Sequence, residues 1–267
     1  MSHSHNGMTA AVTPVVQASG IVKSFGAAPV LQGIDLAVGA GEAVGLIGPN
    51  GAGKTTLFNI LSGFVAPDAG SVCLDGQDVT QHDVQARARL GMVRTFQKSL
   101  VFPSMSVRRN VAMAVRASAD VGYRWWQGAA AMRQFDEQAQ VLIEQAGLHA
   151  RADTLAADLS YGEQRMVDLL IALAQRPRVL LLDEPTAGLS EAEAQRLLEV
   201  IGTHHAGVAM LLVSHDLDIV FQVCTRIAVL DLGVLIATGS KDAIRADARV
   251  ISAYLGMPAE TLEEVGT

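Results

Sequence analysis

The sequence predicts an α/β fold: a largely parallel sheet, covered by helices and interrupted by a mostly helical insert. Three observations predict it. From Ser160 onward, helical and short apolar stretches alternate: Gly162 to Ala174, Val179 to Leu182, Glu191 to Ile201, Val208 to Val213, Leu217 to Val223, Ile227 to Leu230 and Val234 to Thr238. Such alternation builds parallel strands joined by helical crossovers. Next, the apolar run Ala43-Val44-Gly45-Leu46-Ile47 leads through a glycine-rich loop into a helical run, Leu57 to Leu61. Finally, the composition is 50% hydrophobic and 18% charged, with a mean hydropathy of +0.30. Strands buried on both faces raise the apolar content in this way, as would a surface that docks on a membrane partner. With 267 residues the chain has room for one large domain or two modest ones.

The elements follow in order. Met1 to about Pro14 lacks the charged-then-apolar order of a signal peptide and reads as a polar tail, with His3 and His5 in it. Short strands with turns come next, Ala18 to Val22 and Leu31 to Val38, and Gly39-Ala40-Gly41-Glu42 turns into the apolar run. After the first helix, Pro67-Asp68-Ala69-Gly70 is a turn. Ser71 to Leu74 with Asp75-Gly76 suggests a strand pair. Val84 to Leu90 looks helical and stops at Gly91. Between Gln97 and Ala157 the pattern is helical. Ser106 is the N-cap candidate for Val107 to Arg116, and Met132, Phe135, Ala139, Leu142 and Ile143 form a stripe expected to face the core. Trp125 and Trp126 fall in the connection between these helices, either as a loop anchor or as an aromatic contact for a partner.

Several classes are excluded. No apolar stretch approaches the roughly 18 residues that suggest a membrane span. A net charge of −7 argues against a nucleic-acid partner. Cys73 and Cys224, far apart in sequence, read as buried free thiols of a reducing compartment.

Three motifs carry chemistry. Gly48-Pro49-Asn50-Gly51-Ala52-Gly53-Lys54-Thr55-Thr56 has the spacing Gly, four residues, Gly-Lys-Thr, between a strand and a helix. Its glycines let backbone N–H groups line a concavity for phosphate oxygens, and the helix N-terminus adds partial positive charge. Lys54 suits the β- and γ-phosphates of a nucleotide triphosphate, and the Thr55 hydroxyl suits Mg²⁺. In Val179-Leu180-Leu181-Leu182-Asp183-Glu184-Pro185, two carboxylates emerge at the C-terminal end of a buried strand, where open α/β sheets bind ligands. Asp183 suits Mg²⁺, and Glu184 suits a general base that polarises water. In Leu159-Ser160-Tyr161-Gly162-Glu163-Gln164-Arg165, Ser160 and Glu163 make a capping box, and the same helix start is an anion site.

The phosphate loop, Gln97, the Leu-Ser-x-Gly-Glu segment, Asp183-Glu184 and His215 stand in the order seen in ABC-transporter ATP-binding subunits, and the resemblance runs from about Ala18 to Gly256. It implies ATP and Mg²⁺ as cofactors, ATP hydrolysis, and a P-loop NTPase core with an N-terminal antiparallel β subdomain. It also implies one ATPase domain over residues 16–258, a helical subdomain at about 95–165, and tails at 1–15 and 259–267. By resemblance, Phe25 is the aromatic that stacks on adenine, with a core phenylalanine as the other reading. Gln97 is the glutamine that reaches Mg²⁺ and the attacking water. Ser160 and Gly162, with Glu163 beside them, are the segment that meets the γ-phosphate held by an opposite subunit. His215 is the histidine that contacts the γ-phosphate.

Two departures stand out. Tyr161 and Glu163 stand where the common Leu-Ser-Gly-Gly-Gln signature has a glycine and its glutamine. Ala187-Gly188-Leu189-Ser190 occupies a loop that usually begins with Ser and ends with Asp, and Ser190 with Glu193 reads as a second capping box. Tyr161, the run Gly91 to Gln97 and the ending Ile251 to Gly256 resemble ATP-binding subunits of bacterial branched-chain amino acid importers, whose relatives move urea, amides or aromatic acids. The lipopolysaccharide-export ATPase is the closest alternative, and Arg94-Thr95-Phe96 before Gln97 favours the importer. A soluble non-transport ABC ATPase is disfavoured by the single phosphate loop and the short Gln97–Ser160 interval. The importer resemblance implies a peripheral protein on the cytoplasmic face of the inner membrane. Its partners would be a second ATPase subunit (identical or a close relative), two membrane permease subunits and, indirectly, a periplasmic solute-binding protein.

Overall fold

The computed structural model describes residues 14–95, 101–119, 129–204 and 206–254. Two sheets organise it. The first is antiparallel, with strand order β2-β1-β4-β5: β1 (Pro14–Phe25), β2 (Ala28–Gly39), β4 (Ala69–Leu74) and β5 (Gln77–Asp78). The second holds β3 (Ala43–Ile47), β6 (Met92–Arg94), β7 (Val179–Asp183), β8 (Ala209–Val213), β9 (Arg226–Asp231) and β10 (Val234–Gly239), in the order β10-β9-β3-β8-β7-β6. Its neighbours pair in parallel except β9 with β10, a hairpin at the edge.

The parallel strands β3, β7 and β8 are short and buried on both faces. Along β7, Leu180 and Leu182 join one apolar cluster, while Val179 and Leu181 join the other. In β8, Met210 and Leu212 face the first cluster, and Ala209, Leu211 and Val213 the second. This is the period-two alternation of a pleated strand, with no polar face to reveal it in the sequence. On one side, α1 (Lys54–Leu61) and the antiparallel sheet cover the strands with Leu57, Phe58, Ile60, Ile21 and Ile34. On the other side lie α3 (Val107–Ser118), α4 (Ala129–Gln145), α5 (Tyr161–Ala174), α6 (Glu191–His204) and α7 (Leu217–Val223). Short helices α2 (Val84–Arg89), α8 (Lys241–Ala246) and α9 (Ala248–Tyr254) complete the set.

The β1–β2 hairpin is longer than the short strands the sequence suggests, because register shifts between Ala18 and Ile21, and again near Ser24, carry the pairing through its polar end. Strand β6 has no counterpart in the sequence pattern. Its three residues are too few to show a period, and pairing with β7 is what makes them a strand. Ser106 caps α3, its hydroxyl accepting from Arg109 N–H. Within the α4 stripe, Phe135, Ala139 and Ile143 are buried and Leu142 packs on them, but Met132 is exposed. Met132 lies in the first turn of α4. Cys224 is buried and Cys73 half-buried, both free thiols, and burial pushes the Cys224 thiol up to about 12. Trp125, Trp126, Gln97, the segment 1–13 and the segment 255–267 lie outside the described residues.

Glu42, just before β3, ties the two sheets. Its carboxylate accepts from Arg226 Nε at 2.6 Å and from Gly39 N–H at 2.8 Å, and Arg226 also donates to the Ala37 carbonyl of β2.

Candidate functional site

The site forms at the C-terminal ends of β3, β7 and β8, adjacent strands of one sheet, with the end of β6 beside β7. β3 delivers the phosphate loop. A β-carbon at Gly48 would run into the Leu230 carbonyl of β9, so only glycine lets the loop leave the sheet there. Lys54 opens α1, and its ammonium donates to the carbonyls of Gly48 (2.6 Å) and Pro49 (3.0 Å), folding the side chain over the loop. Burial holds the Lys54 ammonium below the usual lysine range, partly offset by the Glu184 carboxylate. Thr55, beside it, is exposed. The β9–β10 turn backs the loop: Gly233 N–H donates to the Ala52 carbonyl at 3.1 Å, and Gln32 of β2 bonds both Gly233 and Leu232.

β7 ends on Asp183, and Glu184 follows in a left-handed conformation, φ 48°. For a residue other than glycine that backbone costs about 1–2 kcal/mol and persists only when its surroundings over-determine it. Here they do. Glu184 N–H donates to the Val213 carbonyl of β8 at 2.9 Å, and Arg165 of α5 donates to the Glu184 carbonyl at 3.4 Å. Glu184 Oε2 accepts from His215 Nδ1 at 2.9 Å and from the Ser214 hydroxyl at 3.4 Å. A carboxylate oxygen only accepts, so Nδ1 carries the proton in this contact. The His215 side chain is 75% exposed while that of Glu184 is 15% exposed, so the pair runs from the protein wall out to solvent. The structure therefore joins Glu184 and His215, 31 residues apart in the chain, at the ends of β7 and β8, and β8 is next to the strand that leads to Lys54.

Asp183 carries a contact that sequence reasoning missed. Its Oδ2 accepts from Arg94 Nη2 at 2.8 Å, with both side chains buried. Arg94 is a charge at the end of an apolar trio, Gly91-Met92-Val93, and that mismatch was the available signal.

The Ser160 segment starts α5. Its capping box is complete: the Ser160 hydroxyl accepts from Glu163 N–H at 3.2 Å, and Glu163 Oε2 accepts from Ser160 N–H at 2.9 Å. Glu163 also pairs with Arg151 at 3.0 Å. None of these bonds reaches residues 48–56. Instead the segment packs against the loop before α6. A β-carbon on Gly162 would overlap the Glu193 carboxylate, which accepts from the Ser190 N–H (2.9 Å) and hydroxyl (2.7 Å). The Tyr161 hydroxyl donates to the Ala187 carbonyl at 3.3 Å, and its ring lies against Gly188. The two departures from the common pattern thus touch each other. Phe25, at the end of β1, is 54% exposed with the Lys23 ammonium 5.6 Å from its ring, which excludes the core reading.

The donor set fits a magnesium nucleotide. Thr55 offers a hydroxyl and Asp183 a carboxylate, hard oxygen donors of the kind that hold magnesium beside substrate phosphates and water.

The chain is similar to known proteins along most of its length. Residues 31–187 match the family model described as ABC transporter. The chain is 35% identical over 252 residues to the high-affinity branched-chain amino acid transport ATP-binding protein LivG of Escherichia coli K12, covering 91% of this chain and 98% of that protein. It is 36% identical over 248 residues to the lipopolysaccharide export system ATP-binding protein LptB of Acidithiobacillus ferridurans, covering 92% and 98%. Among solved structures, it is similar to the ADP conformation of an ATP-binding cassette of an ABC transporter, 27% identical with a TM-score of 0.76 over 91% of this chain and 99% of that one. It is also similar to a nucleotide-free cassette, 28% identical with a TM-score of 0.77 over 91% and 100%.

Proposed function

The chain belongs to the ABC transporter family as an ATP-binding, ATP-hydrolysing subunit, and from that premise we propose that it powers a bacterial importer of branched-chain amino acids or similar small solutes such as urea, amides or aromatic acids. The observation that carries the reading is the convergence of Lys54, Asp183, Glu184 and His215 at the carboxyl ends of β3, β7 and β8.

In this reading the backbone N–H groups of Gly48 to Gly53, with Lys54, Thr55 and Thr56, bind the nucleotide phosphates. Phe25 meets the adenine with its exposed ring. Thr55 and Asp183 hold Mg²⁺, which supplies charge neutralisation at the phosphate oxygens. Glu184 orients and deprotonates water, His215 steadies its carboxylate, and Gln97 completes the ring of groups around the γ-phosphate. The residues position and neutralise, with no covalent intermediate on the protein.

Ser160, Gly162 and Glu163 serve the nucleotide of a second ATPase subunit. Closure follows because ATP touches both subunits only in the closed pair, a differential affinity that shifts the population. Two membrane permease subunits receive the motion through the Gln97 loop and the helical insert at about 95–165, and a periplasmic binding protein delivers the solute to them. No helix among the described residues is long and apolar enough to cross a membrane, in keeping with a peripheral subunit on the cytoplasmic face.

The likeness to LptB, about as high as that to LivG, favours a second reading as an exporter subunit. Co-purification separates the two, importer permeases supporting the first and export permeases the second. The ATPase assignment is tested by Glu184→Gln, expected to bind ATP, accumulate the closed pair and lose turnover by about a hundredfold or more, the scale of a lost general base. Turnover at the wild-type rate would sink the assignment of Glu184.

A further inference from the structure

Arg94 ends β6, three residues before Gln97, and its side chain is 9% exposed. One terminal nitrogen, Nη2, donates to Asp183 Oδ2 at 2.8 Å. The other, Nη1, donates to Asn59 Oδ1 at 2.7 Å and to the Ser62 hydroxyl at 3.1 Å. The guanidinium carbon lies 5.6 Å from the ring centroids of Phe58 and Phe64. Asn59 follows Thr55 by four positions in α1, so the two share one face of that helix. A single planar group therefore bridges the helix that carries Thr55 and the strand that carries Asp183.

We propose that Arg94 is a positioning residue, a strut that sets the spacing between Thr55 and Asp183 and so shapes the Mg²⁺ site of the bound nucleotide. The proposal rests on the magnesium-nucleotide reading above. The buried ion pair is supported on its other arm, where Asn59 and the Ser62 hydroxyl accept from Nη1 and the rings of Phe58 and Phe64 lie beside the guanidinium. The task needs arginine, because two terminal nitrogens at a fixed angle reach two elements at once, whereas a lysine ammonium is one point charge.

The test measures the affinity of the full-length protein for a fluorescent ATP analogue in Mg²⁺ and in EDTA. Losing an outer partner of a metal site typically costs about 10–100-fold in metal affinity, so Arg94→Lys is expected to cut the Mg²⁺-dependent gain in nucleotide affinity about tenfold or more. Affinity in EDTA should stay at the wild-type level, since Lys54 and the loop are intact. The double variant Asn59→Ala with Ser62→Ala keeps the Arg94–Asp183 pair and removes the other arm. The same loss is expected there, and it tests the strut independently should Arg94→Lys not fold. The wild-type Mg²⁺ gain in either variant would overturn the proposal, as would an equal fall in EDTA, which marks general damage. Wild-type protein that binds the analogue in EDTA but gains nothing from Mg²⁺ would overturn the metal reading as well, a separately recognisable result.

Discussion

Gly162 sits where a β-carbon would overlap the Glu193 carboxylate, and that carboxylate is itself held by Ser190. The glycine thus has a contact within its own chain, whatever it meets on a second subunit. Alanine there brings opposing effects: a gain of up to about 1 kcal/mol in helix propensity, and a similar loss as Glu193 is pushed off its hydrogen bonds. The single substitution is therefore uninformative and the cycle decides. Gly162→Ala should be more favourable in a Glu193→Ala background than in wild type by about 1 kcal/mol, read from denaturant unfolding. Additive effects would mean that the contact carries no energy. The Glu184–His215 pair shows the same dependence on neighbours. Each residue was a candidate by position, but the 2.9 Å bond between them needs β7 and β8 side by side.

At the scale of elements, Glu42 and Arg226 show how the antiparallel and parallel sheets are held together. Burial pushes the Glu42 carboxyl up, but the Arg226 hydrogen bond, the Gly39 N–H and the guanidinium charge outweigh it and leave the group below its usual range. A carboxyl lowered on folding adds stability above its unfolded value, near 4.5, and loses that contribution as pH falls through the folded one. Glu42→Gln should therefore cost about 1 kcal/mol near pH 7 and much less near pH 3, measured by unfolding at both. An equal cost at both values would show that the charge is immaterial. Much of this architecture was legible beforehand. The alternation after Ser160, the N-cap at Ser106 and the capping box at Ser160 are local patterns, set by residues within one or two turns of each other. Strand β6 was not legible, because three residues carry no periodicity and only the edge of β7 makes them a strand. Met132 was misplaced because helical spacing gives a face, while the length of neighbouring helices decides how much of that face is covered.

For the whole molecule, the bonds of Ser160 and Glu163 stay near their own helix start and do not reach the phosphate loop. If the nucleotide is shared between two chains, separately disabled chains should complement each other. In an equal mixture of Lys54→Ala and Ser160→Ala proteins, half of the randomly formed pairs carry one intact site of two, so about a quarter of wild-type ATPase activity should return. No recovery would show that two copies of this chain do not complete a site. The sequence by itself determined the nucleotide chemistry, because the phosphate loop is a strand, a turn and a helix start contiguous in the chain, and backbone N–H groups plus one lysine make the cradle. It likewise placed Asp183 and Glu184 at a strand end, since four apolar residues before two acids admit few other settings. Only the tertiary structure decided what those acids face. Arg94 on Asp183, His215 on Glu184 and Glu193 on Gly162 each join segments 31 to 89 residues apart. The order and register of parallel strands, which no single stretch of chain encodes, bring them together.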